Sequence, residues 1–211
     1  YLDWFSNALA GRAELVPWHV LETQVQPNLG EFAGVLITGS PASLTKPEPW
    51  MEVVVEAIRQ ASETQVPVLG VCFGHQLVGV AYGAATTRAP GEGELGSFDV
   101  ALNEAGAGDP LFKDCPKTFS AHLTHHDQVD PEAVAYSNGL RVLASSDNTE
   151  VQALAGGDHV RSVQFHPEFS SAIMRSYVDL DAPVPDRVPV SECSFASKVL
   201  HNWVDAWVGE A

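Results

Sequence analysis

Val66-Pro67-Val68-Leu69-Gly70-Val71-Cys72-Phe73-Gly74-His75-Gln76 is the stretch on which the reading of this chain turns. Its first part is an apolar run and predicts a buried strand over Val66 to Val71. Leu77 to Tyr82, directly after it, has helical character. A cysteine between two glycines at a strand-to-helix junction has the form of a nucleophile elbow. Such a turn is sharp, so Gly70 and Gly74 leave room for backbone and for a neighbouring helix where a Cβ would clash. Cys72 is then expected at the carboxyl end of a strand and the amino end of a helix. There the helix dipole and free N–H groups favour the thiolate, which is the nucleophilic form.

The flanking sequence predicts the frame around this elbow. Upstream, Phe32 to Thr38 is a short β-rich run that ends in Gly39-Ser40-Pro41, a buried strand entering a loop. Pro47 and Pro49 open a helix over about Trp50 to Ala61, proline being tolerated in a first turn. At the beginning, Leu2, Phe5 and Leu9 share one helical face, and Glu14 to Val20 can form a strand. This alternation predicts an α/β fold, with a parallel sheet and helices on both faces. Downstream, Thr86 to Gly96 reads as loop. Short strands are expected over Ser97 to Leu102, Phe119 to His122, Arg141 to Ser145 and Val151 to Leu154. The turn at Ala155 to Asp158 leads into a hairpin partner, His159 to Phe165. Two helices are expected near Ser171 to Leu180 and Phe195 to Val208, separated by the proline-rich piece Pro183 to Pro189. The pattern is that of one domain over residues 1–211.

Composition narrows the function classes. The chain has 211 residues, 45% of them hydrophobic, enough for one substantial core. No apolar run approaches the ~20 residues that span a bilayer, and no signal peptide is visible, so no membrane partner is expected. Net charge is −16, which disfavours nucleic-acid binding through phosphates. The three cysteines, Cys72, Cys115 and Cys193, lack paired spacing. That argues for a reducing, cytoplasmic setting rather than a disulfide framework.

The residue types fit acyl transfer from a carbonyl substrate. Cys72 attacks, and His166, in Gln164-Phe165-His166-Pro167-Glu168, takes or returns the proton. Glu168 lies two residues on and can hold the imidazole in one tautomer. Phe73 N–H, directly after the nucleophile, is one oxyanion donor. The Gly39-Ser40-Pro41-Ala42 loop is a source of another.

Three blocks together resemble the class I, triad-type glutamine amidotransferases: Ile37 to Pro41, Gly70 to Gln76, and Gln164 to Glu168. The likeness is strongest to the stand-alone, GMP-synthase-like members. It implies a flavodoxin-like three-layer sandwich with a central, mostly parallel sheet and a small antiparallel extension. It also implies hydrolysis of glutamine through a γ-glutamyl thioester, giving glutamate and ammonia without a cofactor. Carried over by motif, Cys72, His166 and Glu168 are the triad. Gly39, Ser40 and Phe73 form the oxyanion region, and Gln76 helps hold the glutamate end of the substrate. Thr124-His125-His126-Asp127 resembles the family's Ser-His-x-Asp segment, so Thr124, His125 and Asp127 are expected at the substrate's head group. The rival reading of that segment is a metal site, since His122, His125, His126 and Asp127 cluster in sequence.

Two departures stand out. Gly-Ser-Pro-Ala replaces the Gly-Gly-Pro of many members, and the apolar strand with which the family opens is not seen, so residues are expected to precede Tyr1. No P-loop and no ATP-pyrophosphatase segment is visible; a synthetase, if one is served, sits on a separate chain. Two alternatives to a glutaminase stay open: a γ-glutamyl peptidase, and a non-catalytic regulatory binding domain. A docked partner would be expected to meet exposed apolar rim residues at Leu44, Trp50 and Phe169.

Overall fold

The computed structural model describes residues 1–182 and 188–209. Most of the proline-rich piece, residues 183–187, lies outside the described residues. Seven strands form one sheet, in the order β1 (Val35–Ile37), β2 (Val68–Val71), β9 (Val160–Val163), β8 (Ala153–Gly156), β7 (Leu140–Ser145), β4 (Glu94–Leu102) and β5 (Thr118–His125). The β1–β2 and β2–β9 pairs are parallel. From β9 to β5 the pairing is antiparallel. A separate antiparallel pair joins β3 (Thr86–Arg88) to β6 (Asp127–Val129).

The apolar run before the elbow becomes β2, and all four of its residues are buried. Strand alternation sends its side chains to two cores. Leu69 and Val71 pack with Phe5 and Leu9 of α1 (Leu2–Leu9) and with Val199, Leu200 and Trp203 of α8 (Lys198–Trp203). Val68 packs with Val54, Val55 and Ile58 of α3 (Pro49–Glu63), and with Leu77 and Val78 of α4 (Phe73–Ala81). Helices therefore cover both faces and make the three layers of an α/β sandwich. Each fully buried Leu or Val contributes about 1.5–3 kcal/mol, so β2 is anchored from both sides. Shorter helices are α2 (Val20–Thr23), α5 (Glu104–Ala107) and α6 (Pro131–Val134), and α7 (Ser171–Asp181) packs on β4 and β5.

Several elements differ from the sequence reading. Glu14 to Val20 is not a strand. Pro17 removes a ladder donor, and Val16 is 64% exposed, so the segment joins no sheet among the described residues. The Thr86 to Gly96 loop contains β3 and the start of β4. Helix α4 begins at Phe73, straight out of the elbow, rather than at Leu77. The last helix is α-helical only to Trp203 and continues as a π-helical turn over Val204–Val208. Two of the three expected apolar rim residues turn inward: Trp50 packs against Phe73 and Phe169 against His166, leaving both buried.

Helix α4 carries an acid-sensitive group into the core. His75 is fully buried, and its Nδ1 lies 2.9 Å from Ser162 Oγ. Burial, aided by the nearby His125, pushes His75 from 6.5 down to about 3. The folded chain thus refuses a proton that the unfolded chain accepts below about 6.5. Stability is retained above that pH and is lost as pH falls toward 3, by at most roughly 5 kcal/mol. Urea unfolding between pH 7 and pH 3 is expected to show this loss, and His75→Asn to reduce its slope. An unchanged slope in the variant would count against the assignment.

Candidate active site

The elbow forms where three backbones meet. Cys72 has φ 53°, an unusual value for a residue with a side chain. Such a conformation costs on the order of 1–3 kcal/mol and persists only when its surroundings enforce it. They do: Cys72 N–H donates to Val163 O at 2.9 Å, fastening the turn to β9. A Cβ on Gly70 would come within 2.5 Å of Gly74 O, and one on Gly74 would run into the Ile37 carbonyl. The two glycines let α4 start against β2 and β1. Cys72 Sγ is left 3.7 Å from Thr124 O, at 6% residue exposure.

His166 arrives just beyond β9. Its N–H donates to His122 O at 2.8 Å, tying the end of β9 to β5. Its Nδ1 lies 2.8 Å from Glu168 Oε1. Since the carboxylate accepts, Nδ1 carries the hydrogen and the ring is fixed in orientation. Phe169 stacks on the imidazole at 4.1 Å. Burial alone would lower the His166 pKa. The Glu168 carboxylate, with the neighbouring Cys72 sulfur, outweighs it and holds the imidazole well above its ordinary range. Nε2 is buried without a partner of hydrogen-bonding geometry among the described residues. Gly39 lies against both groups; a Cβ there would sit 3.1 Å from His166 Cε1 and 3.6 Å from Cys72 Cβ. Cys72, His166, Glu168, Gly39 and Thr124 are therefore neighbours, although they come from separate strand ends and loops.

The oxyanion candidates are placed as follows. Phe73 is the first residue of α4, so its amide is outside the helix's own ladder. Ser40 follows Gly39, and its Oγ accepts from Ala42 N at 3.1 Å, holding the loop closed. This arrangement of a thiol, an imidazole–carboxylate pair, a helix-start amide and a loop amide suits acyl transfer.

The remaining sequence candidates form a second, connected group. Gln76 Nε2 donates to Asp127 O at 2.7 Å and reaches Gln164 Oε1 at 3.3 Å. Its amide hydrogens are thus spent on protein acceptors. His125 turns inward to Glu94, with Nε2 2.8 Å from Oε2. The Asp127 carboxylate is held by Ser43 Oγ and by Arg88 Nη1, the latter at 3.0 Å. The histidines of the Thr124 segment go to different places: His122 to Ser97, His125 to Glu94, and His126 to the Glu92 carbonyl. Among the described residues, no three His, Cys, Asp or Glu side chains converge as metal ligands.

Sequence reasoning missed Ser43, Arg88 and Glu94. For Glu94 a signal was present. The buried positions Val100 and Leu102 extend backwards with period two, which places Glu94 on the inward face. It also missed a second cysteine–histidine contact, with Cys193 Sγ 3.6 Å from His122 Nδ1. Burial pushes the Cys193 thiol up and the His122 imidazole down. That contact is thus between a protonated thiol and a neutral ring.

Comparison with known proteins adds the following. A family model described as glutamine amidotransferase class-I matches residues 7–178. A glutamine-hydrolysing GMP synthase of Thermosipho africanus is 30% identical over 196 residues, covering 91% of this chain and 30% of that protein. A glutamine-hydrolysing GMP synthase subunit of Methanococcus aeolicus is 30% identical over 159 residues, covering 75% of this chain and 76% of the relative. This chain thus spans less than a third of the first relative and most of the second. A crystal structure of a glutamine amidotransferase from Methylobacillus flagellatus superposes with a TM-score of 0.77 at 20% identity, over 98% of this chain and 90% of that one, which shows a shared fold.

Proposed function

Because this chain belongs to the class-I glutamine amidotransferase family, we propose that it hydrolyses the γ-amide of glutamine through a thioester on Cys72. The observation that carries this reading is the Cys72 elbow set beside the His166–Glu168 pair. Cys72 gives its proton to His166 as its sulfur bonds to the side-chain amide carbon, and the carbonyl electrons move to oxygen, facing the Phe73 and Ser40 amides. His166 then delivers its proton to the departing nitrogen, the C–N bond breaks, and ammonia leaves. Water, giving up a proton to His166, attacks the thioester; the C–S bond breaks and glutamate is released. Glu168 keeps Nδ1 protonated so that Nε2 does this work. The Thr124 to Asp127 turn holds the substrate's head group beside the nucleophile. Relatives that bear the name of a single GMP synthase subunit favour transfer of the ammonia to a synthetase on another chain.

The purified chain is expected to release glutamate and ammonia in equal amounts from glutamine, and more slowly from γ-glutamyl dipeptides. An electrophilic glutamine analogue is expected to label Cys72 and spare Cys115 and Cys193. Faster turnover of dipeptides identifies a γ-glutamyl peptidase instead. Near-zero turnover with intact Cys72 labelling points to a required partner. Label on Cys193 sinks the assignment of the nucleophile.

A further inference from the structure

We propose that Glu94 is a positioning residue for the substrate-binding turn, its buried carboxylate fixing His125 and, through it, the Asp127 carbonyl. The inference rests on the reading above that Thr124 to Asp127 holds the substrate. Glu94 stands directly opposite His125 in the β4–β5 register. Its side chain is fully buried and that of His125 is 1% exposed. Four side-chain donors converge on the carboxylate. Ser146 Oγ donates to Oε1 at 2.8 Å, and Oε2 accepts from His125 Nε2 at 2.8 Å, Thr149 Oγ1 at 2.9 Å and Gln152 Nε2 at 2.7 Å. A buried carboxylate so fully satisfied is a rigid anchor, whereas one left unpaired is strongly unfavourable.

The other face of the His125 ring leads to the candidate site. His125 Nδ1 lies 3.0 Å from Asp127 O. A peptide carbonyl only accepts, and the Glu94 carboxylate accepts as well, so both ring nitrogens donate. The same Asp127 carbonyl takes a second bond from Gln76, one helical turn beyond Cys72. Gln76 in turn reaches Gln164, two residues before His166. Glu94 therefore sets the height of a turn whose Thr124 carbonyl meets the nucleophile and whose Asp127 carboxylate stays with Ser43 and Arg88. Burial pushes Glu94 up, but the hydrogen bond and charge of His125, with the Ser146 and Thr149 hydroxyls, bring it below the usual carboxylate range.

Glu94→Gln keeps the shape and removes the charge. It is expected to raise KM for glutamine about 10-fold or more while kcat stays within about threefold. Alkylation of Cys72 by iodoacetamide, which has no head group, is expected to keep its wild-type rate. In the wild-type protein labelled with 15N-histidine, His125 is expected to show two slowly exchanging ring N–H signals, and Glu94→Gln to lose the Nε2–H. A single ring N–H at His125 in the wild type overturns the proposal. So does a loss in kcat with KM unchanged, or a KM within twofold of wild type. If Glu94→Gln does not fold, or the wild type does not turn over glutamine, the wild-type spectrum still decides the Glu94–His125 link. Labelling of Cys72 by the glutamine analogue tests the underlying reading separately.

Discussion

Cys72→Ala is expected to lower glutamine turnover by about 10⁴-fold or more, because the proposed reaction runs through a thioester on its sulfur. Loss of an enzyme's nucleophile removes the covalent route and leaves only binding and the oxyanion donors, a difference of up to about 10⁶ in the best-studied case. The fold is expected to survive. Cys72 contributes little core volume, and its strained backbone is held by Val163 O and the two glycines rather than by its sulfur. Initial rates of glutamate release, measured beside a circular-dichroism melt, separate the two effects. A variant lacking Cys115 and Cys193 is expected to keep a rate within about threefold of wild type. If that variant were inactive and Cys72→Ala active, the nucleophile would belong to the Cys193–His122 contact instead.

His166→Ala is expected to cost nearly as much as Cys72→Ala, since nucleophile and base act as one unit. Glu168→Gln is expected to cost roughly 10- to 100-fold less, because an amide still accepts from Nδ1 while lacking the charge. The pH profile gives a sharper reading. Glu168 is the leading influence that raises His166 against the opposing effect of burial. Without that carboxylate the imidazolium gives up its proton at lower pH. The acid that serves the leaving ammonia is then lost earlier, so the alkaline limb of kcat is expected to move to lower pH in Glu168→Gln. A limb that stays in place, or moves up, contradicts the role given to Glu168.

How much of this was legible in the sequence depends on how local the controlling physics is. The elbow was legible because Gly70, Cys72 and Gly74 mark it within five consecutive residues, although the contacts that hold Gly74 and Cys72 come from Ile37 and Val163. Strand β2 and helix α3 were legible because an apolar run and an amphipathic period with a proline start need no distant partner to be recognised. The class I blocks named the family, which the family match over residues 7–178 bears out. Strands β3 and β6 were not legible. Thr86–Arg88 and Asp127–Val129 are three residues each, and they become strands only by pairing across a long sequence separation. The strand expected over Glu14 to Val20 failed for a local reason, since Pro17 removes a ladder donor, and it pairs with no neighbour among the described residues.

By itself, then, the sequence determined the α/β layering, the elbow, and which cysteine stands in it. Each of these follows from steric or apolar patterning along a few consecutive residues. Only the tertiary structure decided which polar side chains share a space. It brought His166 from beyond β9 and Thr124 from β5 to Cys72, turned His125 inward to Glu94 rather than outward, and closed Ser43 and Arg88 on Asp127. Those pairings follow from strand order and register. Register depends on how β4, β5 and β9 bury their faces together, which no single stretch of chain records.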